Sequence, residues 1–245
     1  MNKVFEQIYA KIWEEIFPGV TPPDQETFKK LFVHDIPLAQ AYQTSLSKTQ
    51  VYSSPVYGYK KFISKEEAEK RTEIDNFMEL KTDIGSLTDV LKLMENRATF
   101  RGSRALNSEI VEASDDIYSS SYIYNSTHLY SCQKMMYCDN NKASEYLLAS
   151  KGSGESSFGI RIFDSGSISN SFDVSWSGKS ANLYFCHSVI DLRDCMFCFH
   201  LTSKEFCIAN MQFTEAEYKI LKEKILKEYF DQLTKPDAFI SINQL

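Results

Sequence analysis

The first 131 residues contain no cysteine, so nothing in that half can form the thiolate set of a structural zinc ribbon. Long apolar runs are missing too: no stretch approaches the roughly 20 residues that cross a bilayer as a helix. The opening MNKVFEQIYAKIWEEIF is broken by acidic residues and lacks the continuous apolar core of a signal peptide. Positive charge is scarce where it would matter. The formal net charge is −6, and residues 102–207 hold eight Lys/Arg against twelve Asp/Glu, so the chain lacks the basic surface that nucleic acid binding draws on. These absences point away from membrane and nucleic acid and toward a cytoplasmic chain. At 245 residues and 43% hydrophobic content, the chain is long enough to bury a sizeable core in at most two domains.

A further absence sets the fold. Taking every third residue from Gly102 to Cys207 gives 36 positions that hold one charge, Lys204, and no aromatic. The other two registers of the same segment carry 19 of its 20 charges and all fifteen of its Phe, Tyr and Trp. What fills the depleted register is small or aliphatic: Ser120, Ile123, Ser126, Leu129, Cys132, Met135 and Cys138 run in succession. An interior that admits these side chains and excludes every ring is narrow. A buried stripe recurring every three residues fits neither the 3.6 period of a helix nor the period of 2 of a flat strand. A parallel β-solenoid meets the requirement, with short strands broken by corners and each coil pairing with the next at about 4.8 Å.

Residues one coil apart stack on the same outer face, which gives the coil length. A spacing of twelve aligns Tyr124, Met136, Leu148, Ile160, Phe172, Tyr184 and Met196, while a spacing of eighteen from the same start meets Lys142 and Gly178. Twelve also leaves a polar ladder of Ser121, Gln133, Glu145, Ser157, Ser169, Ala181 and Arg193. The expected fold is therefore mainly β with flanking α, a narrow parallel β-solenoid of about twelve residues per coil and about nine coils. The expected organisation is a helical N-terminal region over 1–100, the solenoid over 101–212, and a C-terminal capping helix with its tail over 213–245. Ice binding, a use of other narrow twelve-residue coils, needs ranks of exposed threonine. Residues 102–207 contain only Thr127 and Thr202.

Helix signals frame the solenoid. Val4, Ile8, Ile12 and Ile16 mark a helix over 3–17 that stops at Pro18-Gly19. Asp24 caps a second helix reaching about Phe32. TQVYSSPVYGYKKFI (49–63) reads as extended or looped, because Pro55 and Gly58 interrupt it. Ser64 and Glu67 form a capping box for a helix through about Leu80, and Ser86 opens another with Leu87, Val90, Leu91 and Met94. Thr214 and Glu217 make a second capping box, before Leu221, Ile225, Tyr229 and Leu233 on one helical face.

With RALNSEIVEASDDIYSSSYIYNS, YFCHSVIDLRDCMFCFHLTSKEFCIANMQFTEAEY and the helix that follows, residues 103–230 resemble uncharacterised β-solenoid proteins of candidate-phyla bacteria and large phages, built on Cys and Ser triplets. Relatives of that kind often carry an N-terminal zinc ribbon, which this chain lacks. The resemblance implies the solenoid, brings no established activity, and makes a virion or assembly component conceivable if the chain is phage-encoded.

Three constellations could carry chemistry. Cys195, Cys198 and His200, with Cys207 beyond, have zinc-like spacing, but the cysteines belong to the inward register, where successive side chains diverge to different walls. His128, His187 and His200 lie outside that register near Asp116, Asp191 and Asp194, where acid–base chemistry is conceivable and a solvated surface is the plainer reading. KGSGESSFG (151–159) lacks the Lys-Ser/Thr ending of a phosphate loop and reads as a corner or bulge. Inward thiols act as small hydrophobes rather than nucleophiles. No catalytic residue, cofactor or metal is expected. The expected function is structural or interactive: the stripe from Tyr124 to Met196, some 29 Å long at about 4.8 Å per coil, meets either helices of this chain, with 3–17 and 86–97 nearest in sequence, or a protein partner in self-assembly. The alternative is a transferase-like enzyme with a site near His187 or His200.

Overall fold

The computed structural model describes residues 2–233, 235 and 238–244. Its centre is a β-solenoid of about nine coils with roughly twelve residues each. Its parallel strand pairs join residues twelve apart, so Tyr124, Met136, Leu148, Ile160, Phe172, Tyr184, Met196 and Ile208 form one continuous ladder.

The backbone explains the triplet. From Asn107 to Ala209 every third residue is left-handed, with φ between 45° and 69°, and Gly152 is the one glycine among them. Two extended residues and one left-handed corner repeat four times per coil, giving a four-sided tube. The residue after each corner points inward, and every third residue from Ser114 to Cys198 is buried. A left-handed side-chain-bearing residue costs on the order of 1 kcal/mol in a free chain, so pairing with adjacent coils must hold it in place.

Inward serines complete that pairing. Ser126 Oγ donates to Tyr124 O at 2.8 Å and accepts from Cys138 N at 3.0 Å, twelve residues on. Ser150 and Ser177 bridge the same groups in later coils. Cysteine imitates the relay at longer range, as Cys132 Sγ does toward Tyr130 O at 3.4 Å.

Opposite walls share size. In one coil Ser120 faces Ser126 and Ile123 faces Leu129; later Ile168 faces Val174 and Ser171 faces Ser177, so the large and small walls have exchanged. Gly159 lies in the coil where they exchange. A Cβ there would stand 2.6 Å from Ile162 Cγ1 and 3.0 Å from Leu147 Cδ2.

The helices are α1 (Lys3–Ile16), α2 (Gln25–Phe32), α3 (Lys65–Ile74), α4 (Leu87–Arg97) and α5 (Glu215–Gln232), capped by Asn2, Asp24, Ser64, Ser86 and Thr214. α3 stops short of Leu80 because Asn76 and Phe77 turn left-handed. The N-terminal region also contains strands: β1 (Gln40–Gln43) and β2 (Gln50–Ser53) form an antiparallel hairpin, and β3 (Phe62–Ile63) runs parallel to β4 (Phe100–Arg101). This unit abuts the start of the first coil. Ser103 N donates to Tyr52 O at 2.7 Å, and Gly102 sits so close to Val51 that a Cβ would meet it at 2.9 Å. At the other end Met211–Gln212 folds back antiparallel on Cys207–Ile208, and α5 packs Tyr218 on the last coil, ring centroids 5.9 Å from Phe206. The last coil is thereby partly covered against edge-to-edge pairing, whereas Glu109–Glu112 in the first coil pairs on one side only and leaves Ile110 44% exposed.

Candidate functional site

The stripe is an internal seam. Tyr124 is half-buried and the other six predicted members are buried, from Met136 at 0% to Tyr184 at 3% exposure. α1 lays Phe5 on Tyr124 and brings Phe17 within 4.9 Å of Phe172, while Tyr184 Oη donates to Ile16 O at 2.9 Å. α2 adds Phe32, 5.7 Å from Phe172, and α5 adds Tyr229, 5.8 Å from the same ring. The 86–97 helix does not take part, because α1, α2 and α5 already fill the seam. The left-handed corner beside the stripe contributes Tyr137 and Phe185 to the same core, a second row that the triplet reading did not separate.

Two polar constellations tie the flanking segments to the coils. On the corner row next to the stripe, fully buried Arg161 bonds Asp173 one coil away at 3.0 Å, Asp35 after α2 at 2.8 Å, and the carbonyl of Phe32. Ser241 Oγ donates to Asp173 at 2.8 Å, so one buried cluster holds both termini. Burial opposes charge on Asp35, but Arg161 still holds its carboxyl below the usual carboxylate range. The sequence signal was present as opposite charges twelve apart at 161 and 173; Asp35 and Ser241 left none.

The second constellation stacks Arg104, Asp116 and His128 at the same spacing. Arg104 forks onto Asp115 at 2.8 and 3.0 Å, His128 Nδ1 pairs with Asp139 Oδ1 at 2.6 Å, and Tyr57 Oη donates to Asp116 at 2.7 Å while lying 3.0 Å from His128 Nε2. The hydrogen bond to Asp139 raises the His128 pKa above its ordinary value, against the pull of burial. Burial and the Asp116 carboxylate push the Tyr57 phenol up to about 12. Held between a carboxylate and a phenol, the imidazole tethers the turn at Pro55–Tyr57 to the solenoid.

His187 bonds Ser175 Oγ at 2.9 Å, and exposed His200 meets it ring to ring at 6.2 Å. Among the described residues no carboxylate bonds or ion-pairs with either histidine. Cys195 and Cys198 lie inside the tube and donate to the carbonyls of Arg193 and Met196, each at 3.3 Å, whereas His200 stands outside it. The three do not converge on one point. Burial pushes the Cys138 and Cys186 thiols up, away from the thiolate form. Residues 151–159 continue the coil, with Gly152 at a corner where a Cβ would overlap Asp164 Oδ1.

What remains uncovered is the excursion between β3 and β4. Among the described residues, nine of the 21 exposed large hydrophobics fall within 74–94, including Met78 at 73%, Leu80 at 88% and Leu87 at 72%. α3 buries nothing, and α4 presents Leu87, Val90, Leu91 and Met94 on one face to solvent. The excursion nevertheless keeps local order: Ser86 caps α4 through Asp89 N at 3.2 Å, and Arg71 holds Asp75 and Glu79 at 3.0 and 3.3 Å.

Comparisons with protein-family models, with curated proteins and with solved structures return no match to this chain. Among the described residues no helix is long and apolar enough to cross a membrane.

Proposed function

We propose that the protein is a non-enzymatic interaction protein, with the solenoid as a rigid mount and the 74–94 excursion as the arm that seats on another protein surface. The observation that carries this reading is the arm's apolar face. Burying each large apolar side chain contributes roughly 1.5–3 kcal/mol, and a contiguous apolar patch left in water is a liability for a lone chain. The stripe, once a candidate for that interface, is spent on the chain's own helices. Six buried free cysteines accord with a reducing compartment, and the resemblance to phage proteins extends the reading to a virion or assembly component.

The test is Leu87→Asp/Leu91→Asp/Met94→Asp, read by light scattering and thermal melting. The expected result is an unchanged melting temperature and loss of an assembly that the unaltered chain forms, with a second copy as the first partner to examine. An unaltered chain that is monomeric, shows no dye-binding apolar surface and co-purifies with nothing overturns the reading.

A further inference from the structure

Between the end of α1 and α5 lies a cavity of about 630 Å³, open on one side. Ile16, Phe17 and Val20 line it from the first helix and the turn that follows, and Leu226 and Phe230 line it from the second. The rings of Phe17 and Phe230 meet edge to face at 4.9 Å, so part of the wall is aromatic. With one exception the charges of the lining stay at the rim. Lys219, Glu223, Lys227 and Asp231 are exposed and balance in sign, and Lys219 is tied to Glu215 at 2.6 Å. A cavity of this size and lining suits a small, largely apolar molecule. The balanced rim selects no charge on it.

The exception is Lys222, which is half-buried in the wall. Its Nζ stands 4.3 Å from the centroid of the Tyr184 ring, and it makes no hydrogen bond or ion pair among the described residues. Asp194 of the solenoid is the carboxylate that acts on it, and that side chain already accepts from Asn182 Nδ2 at 3.1 Å. Burial pushes the Lys222 pKa down, against the pull of Asp194. Lys142 also lacks a partner, but it stands in water on an open wall, where an ammonium is fully hydrated. Desolvation disfavours the charged form of an amine, and a lysine desolvated in an apolar pocket becomes a nucleophile toward a carbonyl carbon. An apolar cavity and an unpaired amine in its wall answer two features of one ligand class: an apolar body and an aldehyde carbon.

We infer that this cavity captures a small apolar aldehyde as a reversible imine on Lys222. The Nζ lone pair attacks the carbonyl carbon, and the oxygen takes up a proton while the nitrogen gives one to solvent. The resulting carbinolamine loses its hydroxyl as water when the C=N bond forms. One amine and one aldehyde give one imine and one water, with no oxidant or reductant consumed. Hydrolysis runs the same steps backward, so the site holds and releases its ligand without turnover. The cavity lies between α1 and α5, and the arm springs from between β3 and β4, so the inference does not depend on the arm having a partner.

Reductive trapping of the full chain tests it, with benzaldehyde as the probe and cyanoborohydride at about pH 7 to deliver hydride to the imine carbon. Mass spectrometry of the intact chain and of its peptides counts and places the adducts. The expected result is one benzyl adduct, on Lys222, formed at least tenfold faster than at any other lysine. That adduct should disappear in Lys222→Arg and persist in Lys227→Arg on the rim. Benzyl alcohol has the same apolar body and no carbonyl, so it should slow trapping at Lys222 and leave the other lysines unaffected. Adducts spread over the lysines without preference for Lys222, an adduct count unchanged in Lys222→Arg, or a rate at Lys222 that ignores benzyl alcohol overturns the inference. Lys222→Arg keeps a cation over the Tyr184 ring, and circular dichroism of each variant confirms that it folds.

Discussion

A side chain inside this tube must be small, and it must also settle the backbone groups that each corner leaves unpaired. Serine does both, since its hydroxyl donates within its own coil and accepts from the next. Ser126→Ala removes one atom and strands the Cys138 amide in a dry interior, while the Tyr124 carbonyl keeps its bond from Tyr137 N, at a cost of about 1–3 kcal/mol for the buried group left unsatisfied. Urea denaturation should show Ser126→Ala destabilised by at least that much, while Ser121→Ala, on the outer wall, stays within about 0.5 kcal/mol. Glycine 159 carries the opposite constraint. Gly159→Ala pushes a methyl into Ile162 and Leu147, and overpacking of this kind costs roughly 1–3 kcal/mol. On an Ile162→Ala background the added methyl has room, so the double-mutant cycle should show the two substitutions compensating. Equal penalties on both backgrounds would mean that the exchange of large and small walls does not depend on Gly159.

At the scale of elements, the capping residues at 24, 64, 86 and 214 and the register of the coils were legible, because each rests on local chemistry: an oxygen before a helix, or a side chain every third place. The docking of elements was not. β3 pairs with β4 across 36 intervening residues, and Arg161 finds Asp35 across a sequence separation of 126, distances over which spacing carries no signal. The 86–97 helix has the amphipathic pattern of a packed helix, yet its face of Leu87, Val90, Leu91 and Met94 stays exposed while three others reach the seam. The tethers make testable claims. Asp173→Asn leaves Arg161 buried with part of its partner set gone, and breaking a buried pair costs about 3–5 kcal/mol. Chemical denaturation should show a loss of that size. His128 gives a pH signature. Its folded pKa lies above its unfolded one, so its stabilisation is complete below the ordinary histidine range and is lost as pH rises through the folded value. The stability gap between wild type and His128→Gln, about 1.5–3 kcal/mol for a charge-assisted hydrogen bond, should therefore be largest in mildly acidic buffer and shrink toward alkaline pH.

Considered whole, the molecule is a repeat array whose repeats are strapped together. Stacked coils interact with their nearest neighbours alone, and such arrays fray from their ends or break in the middle. Here α1, α2 and α5 lie across Tyr124 to Met196, and the Arg161 cluster binds residues 35 and 241 to the same two coils. The array thereby acquires long-range contacts that a bare solenoid lacks, and the coils beneath the seam should unfold as one unit. Native-state hydrogen exchange can read this directly. Amides from Ser126 to Val189 should exchange only through global unfolding, with a single denaturant dependence. Those of Ala105 to Val111 and Leu201 to Cys207, where the inward residues are less completely buried or lie in the last coil, should exchange through smaller openings. Phe172→Ala tests the cause. It removes the ring that Phe17, Phe32 and Tyr229 share, and a loss of about 3–5 kcal/mol is expected for a buried phenylalanine. If the helices are the strap, that loss should appear equally at amides several coils away on both sides of residue 172. If protection falls only in the coils adjoining Phe172, the coils are held by their own neighbours, and the helices serve to cover the stripe without coupling its ends.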